Sequence, residues 1–380
     1  MRSYKTEIKL NNKQKEKFLK TIGTCRFVYN LFIDVNKERY EYDQPFMGGM
    51  KFSKWLNNEY IPNNLDKQWI KEVSSKSVKQ SIMNAEKAYK AFLKTKKGFP
   101  RFKSRKNNVN MCFVKTDEKT KICCKRHQIK IPTLGWVQLK EYGYLPIREP
   151  ITSGNISTKA GKFYISVRTH EERKIQNNNT NIGIGIDLGI KELAVLSGGM
   201  VFKNINKGAR IKRLNKKLKR EQKKLSRKHE SKKKGIILGK NINKQILRIQ
   251  KIHQTIINIR QDYQYKVINE VVRTKPSYIT IENLNIKGMM KNRHLSKSIA
   301  EQGIYGFIQK LKFKSYINGI EIRQVDRFYP SSKLCSKCGK IKKDLNLSDR
   351  IYKCNCGLII DRDLNAAINL QQATDYKIVC

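Results

Sequence analysis

Acidic residues and long apolar runs are both scarce in this sequence of 380 residues. Asp and Glu together number 31, against 81 Lys and Arg. No run approaches the roughly 20 apolar residues that span a bilayer, and the polar first residues do not look like a signal peptide. We therefore expect no membrane segment and a cytoplasmic protein.

The excess of positive charge, a formal net charge of +50, predicts a polyanionic partner. A compact chain with this charge repels itself unless a polyanion neutralises it. The many Lys, Asn and Ile residues also fit the codon bias of an AT-rich genome, but that bias does not explain the shortage of Asp and Glu. We expect nucleic acid as the partner, with binding that weakens steeply as salt is added.

The nine Cys residues are an odd number, which argues against a secreted disulfide framework and favours a reducing compartment. Four of them form two short pairs, CxxC and then CxC after fifteen residues: Cys335, Cys338, Cys354 and Cys356. A glycine follows each pair, as in a tight knuckle turn. This spacing predicts one tetrahedral, structural zinc ion. A redox CxxC would need only one pair, and an iron–sulfur cluster is the remaining alternative.

The order of the expected elements divides the chain near a polar linker at 174–181. Before the linker, a strand over 1–10 and short strands over 109–168 indicate a β module of barrel type, split by inserted helices. Those helices are expected near 13–40, 52–59 and 75–95. After the linker, strands alternate with helices, which is typical of an α/β sheet. There we expect a basic helical pair over 207–272 and a single helix over 298–318.

Carboxylates stand where three apolar segments end. Asp187 follows one, Glu282 follows the second, and Asp361 and Asp363 follow the third. Two glycines before Asp187 would let another backbone or a ligand come close. Clustered carboxylates can hold two divalent ions about 3.5–4 Å apart, which activate water at a phosphodiester, and Mg²⁺ suits oxygen ligands.

Each acid also has an ordinary explanation: a turn for Asp187, a strand end for Glu282 and a helix cap for Asp363. Taken together in so basic a chain, the acids favour a catalytic metal site. Because four sulfurs would fill the coordination sphere of the zinc, catalysis would need a different metal.

Two basic tracts are candidate contacts to nucleic acid. Residues 210–234 hold fourteen Lys or Arg and two Glu around a narrow apolar stripe, which predicts a helix that docks on one side and meets phosphate on the other. The alternative is a solvated helix or coiled coil. The loop 98–107 mixes cations with aromatic rings that could stack on a base, or it is a solvated connector anchored by Phe. The candidate contacts are Arg101, Lys103, Arg105, Lys106, Arg210, Lys212, Arg213, Lys216, Lys217 and Arg220.

Four segments, in this order, resemble TnpB proteins, the transposon-encoded relatives of type V CRISPR effector nucleases. They are GIDLGIKELAVLSGG, IENLNIKGM, the CSKCG and CNCG pair, and DRDLNAAINL. The segment GFPRFKSRKN is similar to the basic loop that precedes the family's β module. The resemblance implies a multidomain α+β and α/β fold. Its parts would be a wedge-type β-barrel (1–12 and 98–175), an inserted helical recognition domain (13–97), a RuvC-like, RNase H-like nuclease (180–330 and 358–380) and a zinc ribbon (331–357).

The resemblance also implies an activity. The chain would be an RNA-guided endonuclease that cuts double-stranded DNA beside a short transposon-adjacent motif. Asp187 and Glu282 match the family's first catalytic Asp and its catalytic Glu. The third acid would be Asp363, with Asp361 as the alternate. The CxC spacing of the second cysteine pair is a minor departure from CxxC.

Cofactors and partners follow from the same resemblance. Two catalytic Mg²⁺ ions would lie on the acids, and one Zn²⁺ on the cysteines. The partners would be a guide RNA from the transposon end and target DNA, with one protein chain per RNA favoured. The location would be the cytoplasm of a bacterium or archaeon, at the nucleoid when DNA is bound.

Three other functions compete with this one. A nuclease-inactive, RNA-guided repressor would be supported by the loss of a catalytic acid, and all three acids are present. An RNase H-like transposase would join DNA ends without RNA. A plain zinc-ribbon protein that binds RNA would leave the acids at the strand ends unexplained.

Overall fold

The computed structural model describes residues 2–96, 98–104, 111–115, 123–147, 149–171, 180–231, 239–346 and 349–379, with the backbone alone for 111–115. The chain forms two compact units, Met1–Glu172 and Arg173–Cys380. Within these ranges no helix has the length and apolar character needed to cross a membrane.

The first unit contains an antiparallel sheet. Its strands are β1 (Arg2–Lys9), β2 (Met111–Lys115), β3 (Gln128–Ile131), β4 (Gly135–Leu139), β5 (Ile151–Lys159) and β6 (Lys162–Thr169), in the order β2–β5–β6–β1–β4–β3. β1 pairs with β6 from Arg2 opposite Thr169 to Ile8 opposite Phe163. The N-terminal strand therefore lies inside a sheet built from much later strands, which confirms the predicted split of the β module.

Helical segments occupy the chain between β1 and β2. They are α1 (Asn12–Glu41), α2 (Gly49–Trp55), α3 (Ile61–Asn63) and α4 (Ser75–Thr95), with a π turn at Leu56–Tyr60 and a 3-10 helix at Leu65–Glu72. Asn11 and Gln14 form a capping box that starts α1. Phe32 of α1 and Tyr89 of α4 are fully buried in the core that these helices share. The predicted helices are confirmed, and the 3-10 helix was not expected.

The second unit contains a mixed sheet and a small separate ribbon. The strands are β7 (Ile184–Asp187), β8 (Glu192–Leu196), β9 (Val201–Lys203), β10 (Tyr278–Glu282), β11 (Glu321–Val325), β12 (Ile351–Lys353), β13 (Ile359–Asp361) and β14 (Lys377–Ile378). The large sheet has the order β14–β11–β10–β7–β8–β9, and β12 pairs with β13 alone. β10 is parallel to both β7 and β11, whereas β8, β9 and β14 are antiparallel to their neighbours. The predicted α/β sheet is thus present.

Among the described residues of this unit, the helices are α5 (Ala209–Glu230), α6 (Lys240–Arg273), α7 (Ile286–Met289), α8 (Ser296–Gln302), α9 (Ile304–Ile317) and α10 (Arg362–Gln372), with a 3-10 helix at Ile205–Lys207. Ile281 of β10, Ile268 of α6 and Phe307 of α9 are fully buried in one core. The prediction of a single helix over 298–318 was wrong. Gly303 has a left-handed φ of 66° and ends α8, so a second helix begins at the next residue.

Candidate active site and zinc site

Two of the three predicted acids end neighbouring parallel strands. Ile186 of β7 lies opposite Ile281 of β10, so Asp187 and Glu282 are the next residues on each strand. Adjacent strands are about 4.8 Å apart, which puts the two side chains at the same sheet edge. The apolar residues that precede the acids are mostly buried in the core, and the acids themselves lie at its edge.

Helix α10 lies unusually close to β7. A Cβ atom on Gly185 would stand 1.9 Å from the carbonyl oxygen of Ala367 and 2.5 Å from the backbone nitrogen of Gln371. Only glycine allows this approach. The prediction that a glycine before Asp187 admits another backbone is therefore confirmed, and that backbone belongs to the helix that carries Asp363.

Asp361 and Asp363 make different contacts. Oδ1 of Asp361 accepts hydrogen bonds from the backbone N–H groups of Asp363 (2.9 Å) and Leu364 (3.1 Å), so Asp361 is the N-cap of α10. The ordinary explanation of Asp363 as a helix cap was therefore wrong, because Asp361 caps the helix. Asp363 lies in the first turn, with Oδ1 3.7 Å from Nε of Arg362 and only 21% of its side chain exposed.

The carboxylates influence one another's pKa values. Burial, followed by the charges of Glu282 and Asp363, raises the pKa of Asp187 to about 8, and the Arg362 guanidinium only partly opposes this. Burial also raises the pKa of Glu282, against the lowering effect of a hydrogen bond from Ser331. Asp187 therefore interacts electrostatically with Glu282, Asp363 and, to a smaller extent, Asp361. A partly buried, all-oxygen set of this kind fits a hard divalent cation such as Mg²⁺.

The cysteines form a much tighter group. Sγ of Cys335 lies 3.6 Å from Sγ of Cys356, Sγ of Cys338 lies 3.6 Å from Sγ of Cys354, and all four sulfurs lie within 4.8 Å of one another. Zn–S bonds of about 2.3 Å in a tetrahedron separate the sulfurs by roughly 3.8 Å. The cluster can therefore hold a metal ion, and its geometry fits zinc. In the described part of the chain, no other group of three or more His, Cys, Asp or Glu side chains has its ligand atoms as close together as these four sulfurs. The oxygens of the carboxylate cluster are therefore farther apart than the sulfurs.

Local turns shape the cysteine cluster. Gly339 and Gly357 have left-handed φ angles of 71° and 87°, and their N–H groups donate to the carbonyl oxygens of Cys335 and Cys354. The predicted knuckle turns are confirmed. Burial opposes ionisation of the Cys335 thiol, but hydrogen bonds from the N–H groups of Cys338 and Lys337 outweigh it and lower its pKa to about 7. A thiolate, which is the form that binds metal, is thus favoured there.

Sequence reasoning missed three residues that connect the two sites: Ser331, Asn365 and Asn369. The hydroxyl of Ser331 donates to Glu282, while the two asparagines of α10 bind the backbone of the segment that enters the cysteine cluster. The sequence signal that could have revealed the asparagines is their spacing of four residues on the apolar face of the DLNAAINL helix. Polar side chains in such positions are buried, so they need fixed partners.

The basic candidates fall into three groups. All six on α5 are exposed: Arg210, Lys212, Arg213, Lys216, Lys217 and Arg220. In the loop, Arg101 is exposed, whereas Nζ of Lys103 lies 4.2 Å from the ring centroid of Tyr29 and its backbone bonds to Asn30. Arg105 and Lys106 lie outside the described residues.

Comparison with known families matches three parts of the chain. Residues 1–44 match the helix-turn-helix domain of OrfB_IS605, residues 165–293 match OrfB_IS605, described as "Probable transposase", and residues 305–370 match the TNB domain of Cas12f1-like proteins. A curated relative from Escherichia coli K12, "Putative RNA-guided DNA endonuclease InsQ", is 29% identical over 399 residues, covering 100% of this chain and 94% of the relative. The "TnpB-like protein L79" of Acanthamoeba polyphaga mimivirus is 38% identical over 129 residues, or 32% of this chain and 24% of that protein.

These matches bear out the resemblance to TnpB proteins. Another relative, a "Putative RNA-guided DNA endonuclease" of Streptomyces pristinaespiralis, is 26% identical over 98% of this chain and 89% of its own length. Among solved structures, the fold is similar to Cas12f1 in a cryo-EM complex with sgRNA and target DNA. The TM-score is 0.59 at 15% identity, over 95% of this chain and 83% of the other.

Proposed function

We propose that this chain is a transposon-encoded, RNA-guided endonuclease that cuts double-stranded DNA beside a short adjacent motif by metal-dependent hydrolysis. The observation that carries the proposal is the joint placement of Asp187 and Glu282 at one sheet edge, with Asp363 close enough to raise the pKa of Asp187. The names of the relatives from Escherichia coli and Streptomyces pristinaespiralis point the same way.

The two units support the domain arrangement that the family resemblance implies. The antiparallel sheet of the first unit supports a wedge-type β-barrel from 1–12 and 98–175, with 13–97 as the inserted recognition domain. In the second unit, the order β9–β8–β7–β10–β11, with parallel strands on both sides of β10, supports an RNase H-like, RuvC-like nuclease from 180–330 and 358–380. Residues 331–357 would be its zinc-ribbon insertion.

The proposed cofactors are two Mg²⁺ ions and one Zn²⁺ ion. When bound, the two Mg²⁺ ions supply an activated water and stabilise the leaving oxygen of the phosphodiester. Asp187, Glu282 and Asp363 would hold these ions, while Arg362 limits the repulsion among the acids by its positive charge. The four cysteines would hold zinc without an open position, so its role would be structural.

The proposed partners are a guide RNA and the target DNA, and the solved Cas12f1 complex contains both kinds of molecule. The exposed cations of α5 are suited to phosphate contacts. Among the described residues of the 98–104 loop, Arg101 is an exposed cation. We assign it to nucleic-acid contact. One protein chain with one RNA in the cytoplasm of a bacterium or archaeon is the form that we expect.

Cleavage by the purified complex tests this function. The protein is purified with its RNA, the RNA is sequenced, and a plasmid that carries the matching target is incubated with Mg²⁺. We expect double-strand cleavage that is lost after RNase treatment, and no cleavage by the matched Asp187→Asn variant.

Other outcomes identify the competing functions. Target binding without cleavage would indicate an RNA-guided repressor. Activity that survives RNase, together with DNA strand transfer, would indicate a transposase.

A further inference from the structure

Ser331 lies between the carboxylate cluster and the cysteine cluster. Its hydroxyl donates a hydrogen bond to Oε1 of Glu282, and only 4% of the residue is exposed. Ser331 follows β11, the strand beside β10, so this bond links two neighbouring segments at the edge where the acids lie. Cys335 follows four residues later.

Two buried asparagines of α10 fix the backbone around Ser331. Nδ2 of Asn369 donates to the carbonyl oxygens of Ser331 and Leu334, each at 2.7 Å. Nδ2 of Asn365 also donates to Leu334 at 2.7 Å, and its Oδ1 accepts from the N–H of Ser336 at 3.1 Å. Both asparagines are at most 1% exposed. A buried amide of this kind has no water to replace a lost partner, so these bonds specify one position of the segment.

Helix α10 therefore positions both an acid and the segment that contains Ser331. Its first turn carries Asp363, and its next two turns hold the segment from Ser331 to Ser336. Any shift of that segment would move the hydroxyl donor away from Glu282. The position of Glu282 is thus coupled to the start of the cysteine cluster through α10.

We propose that Ser331 is a positioning residue for Glu282, and that Asn365 and Asn369 hold it there. The hydroxyl would fix one carboxylate oxygen and leave the other for a metal ion. The inference rests on the proposed function, since it takes Glu282 as a metal ligand. Hydrogen-bond partners of metal ligands are commonly worth about 10–100-fold in metal affinity.

The test uses the full chain with its copurified RNA and three variants: Ser331→Ala, Ser331→Thr and the control Ser332→Ala. Mn²⁺ binding is measured by electron paramagnetic resonance without DNA, and Mn²⁺ bound by the Asp187→Asn complex is subtracted to correct for ions on the RNA. Zinc content, the thermal unfolding temperature and the Mg²⁺ dependence of cleavage are measured on the same samples.

We expect Ser331→Ala to weaken Mn²⁺ binding, and to raise the Mg²⁺ concentration for half-maximal cleavage, by about tenfold or more. Its zinc content and unfolding temperature should match the unsubstituted protein. Ser331→Thr keeps the hydroxyl and should restore binding, and Ser332→Ala should behave like the unsubstituted protein.

Two results would overturn the proposal. One is an unchanged Mn²⁺ affinity and Mg²⁺ dependence in Ser331→Ala. The other is a loss of metal binding that comes with loss of zinc and a lower unfolding temperature, because that pattern identifies a purely structural role.

If Ser331→Ala does not fold, Asn369→Asp replaces it, since that change keeps the size of the side chain but removes both donated bonds. Asn369→Asp should then weaken Mn²⁺ binding, and full Mn²⁺ affinity in this variant would count against the proposal. Should the unsubstituted complex fail to cleave with any divalent ion, the proposed function itself fails, which is a different outcome.

Discussion

The cysteine cluster is built from one short stretch of chain, whereas the carboxylate cluster is assembled from three distant parts. Two knuckle turns within 335–357 bring the four sulfurs within 4.8 Å. The acids are brought to one region because β7 and β10 are in register and α10 lies against Gly185. The local site follows from sequence spacing, while the assembled site depends on the tertiary fold.

The two clusters also differ in charge. Backbone N–H groups favour the thiolate at Cys335, but burial and like charges oppose ionisation of Asp187. At Cys338, however, a backbone hydrogen bond from Lys340 lowers the pKa, but burial and the other three cysteines raise it to about 11. A cation would therefore relieve repulsion at both sites.

Removing the charge of Asp187 should have the largest effect. Asp187→Asn should reduce cleavage by about 10³-fold or more, because a lost metal forfeits several kcal/mol of transition-state stabilisation. Binding of RNA and target DNA should stay unchanged, as measured by filter binding beside a plasmid-cleavage assay. Cleavage at the original rate would refute the metal role of Asp187.

Removing sulfur ligands should damage both clusters. Cys335→Ser with Cys338→Ser should abolish zinc binding, measured by elemental analysis, and expose 331–361 to proteolysis. Cleavage should fall as well, because the segment that Asn365 and Asn369 bind would lose its second attachment, the zinc site. An unchanged metal content would rule out this zinc site, and intact cleavage without zinc would separate the two clusters.

The metal dependence of cleavage should vary with pH. Because the folded pKa of Asp187 is about 8, a metal ion must displace a proton below that pH. Apparent Mg²⁺ affinity should rise by up to about tenfold per pH unit between pH 6 and 8, then level off. Cleavage titrated with Mg²⁺ at several pH values measures this, and a flat profile would contradict it.

The stability of the metal-free protein has the opposite dependence. The folded pKa of Asp187 lies above its unfolded value of 3.8, so the unfolded state ionises first as pH rises. This carboxyl should therefore lower stability progressively from about pH 4 to 8. Asp187→Asn should remove that loss, visible as a higher unfolding temperature near pH 8.

Changes at Asp361 should have the smallest effect. Asp361→Asn keeps an equally good helix cap, so cleavage should stay within a few-fold, whereas Asp363→Asn should abolish it. Asp361→Ala loses the cap and should destabilise the protein by about 1 kcal/mol, or roughly 2–4 °C in unfolding temperature for a unit of this size. If Asp361→Asn abolishes cleavage as Asp363→Asn does, Asp361 is itself required for catalysis.

The strands that carry the acids could be predicted because their apolar runs are short and end abruptly. Sequence could not identify Asp361 as the N-cap of α10, because an N-cap is defined by backbone conformation and not by residue type. It could not find Ser331, whose partner Glu282 lies 49 residues away. The break at Gly303 was missed because an isolated glycine in a helical pattern is usually tolerated.

The approach of α10 to Gly185 has a consequence for surveys of related chains. A single methyl group there would meet the Ala367 carbonyl oxygen at 1.9 Å, so the helix, and Asp363 with it, would have to move. If Asp363 holds a metal ion as proposed, such a chain would keep every acid and every cysteine and still be inactive. A survey that classifies related chains as active or inactive from the acids alone would wrongly classify it as active. Including the residue at position 185 in the survey would correct this error.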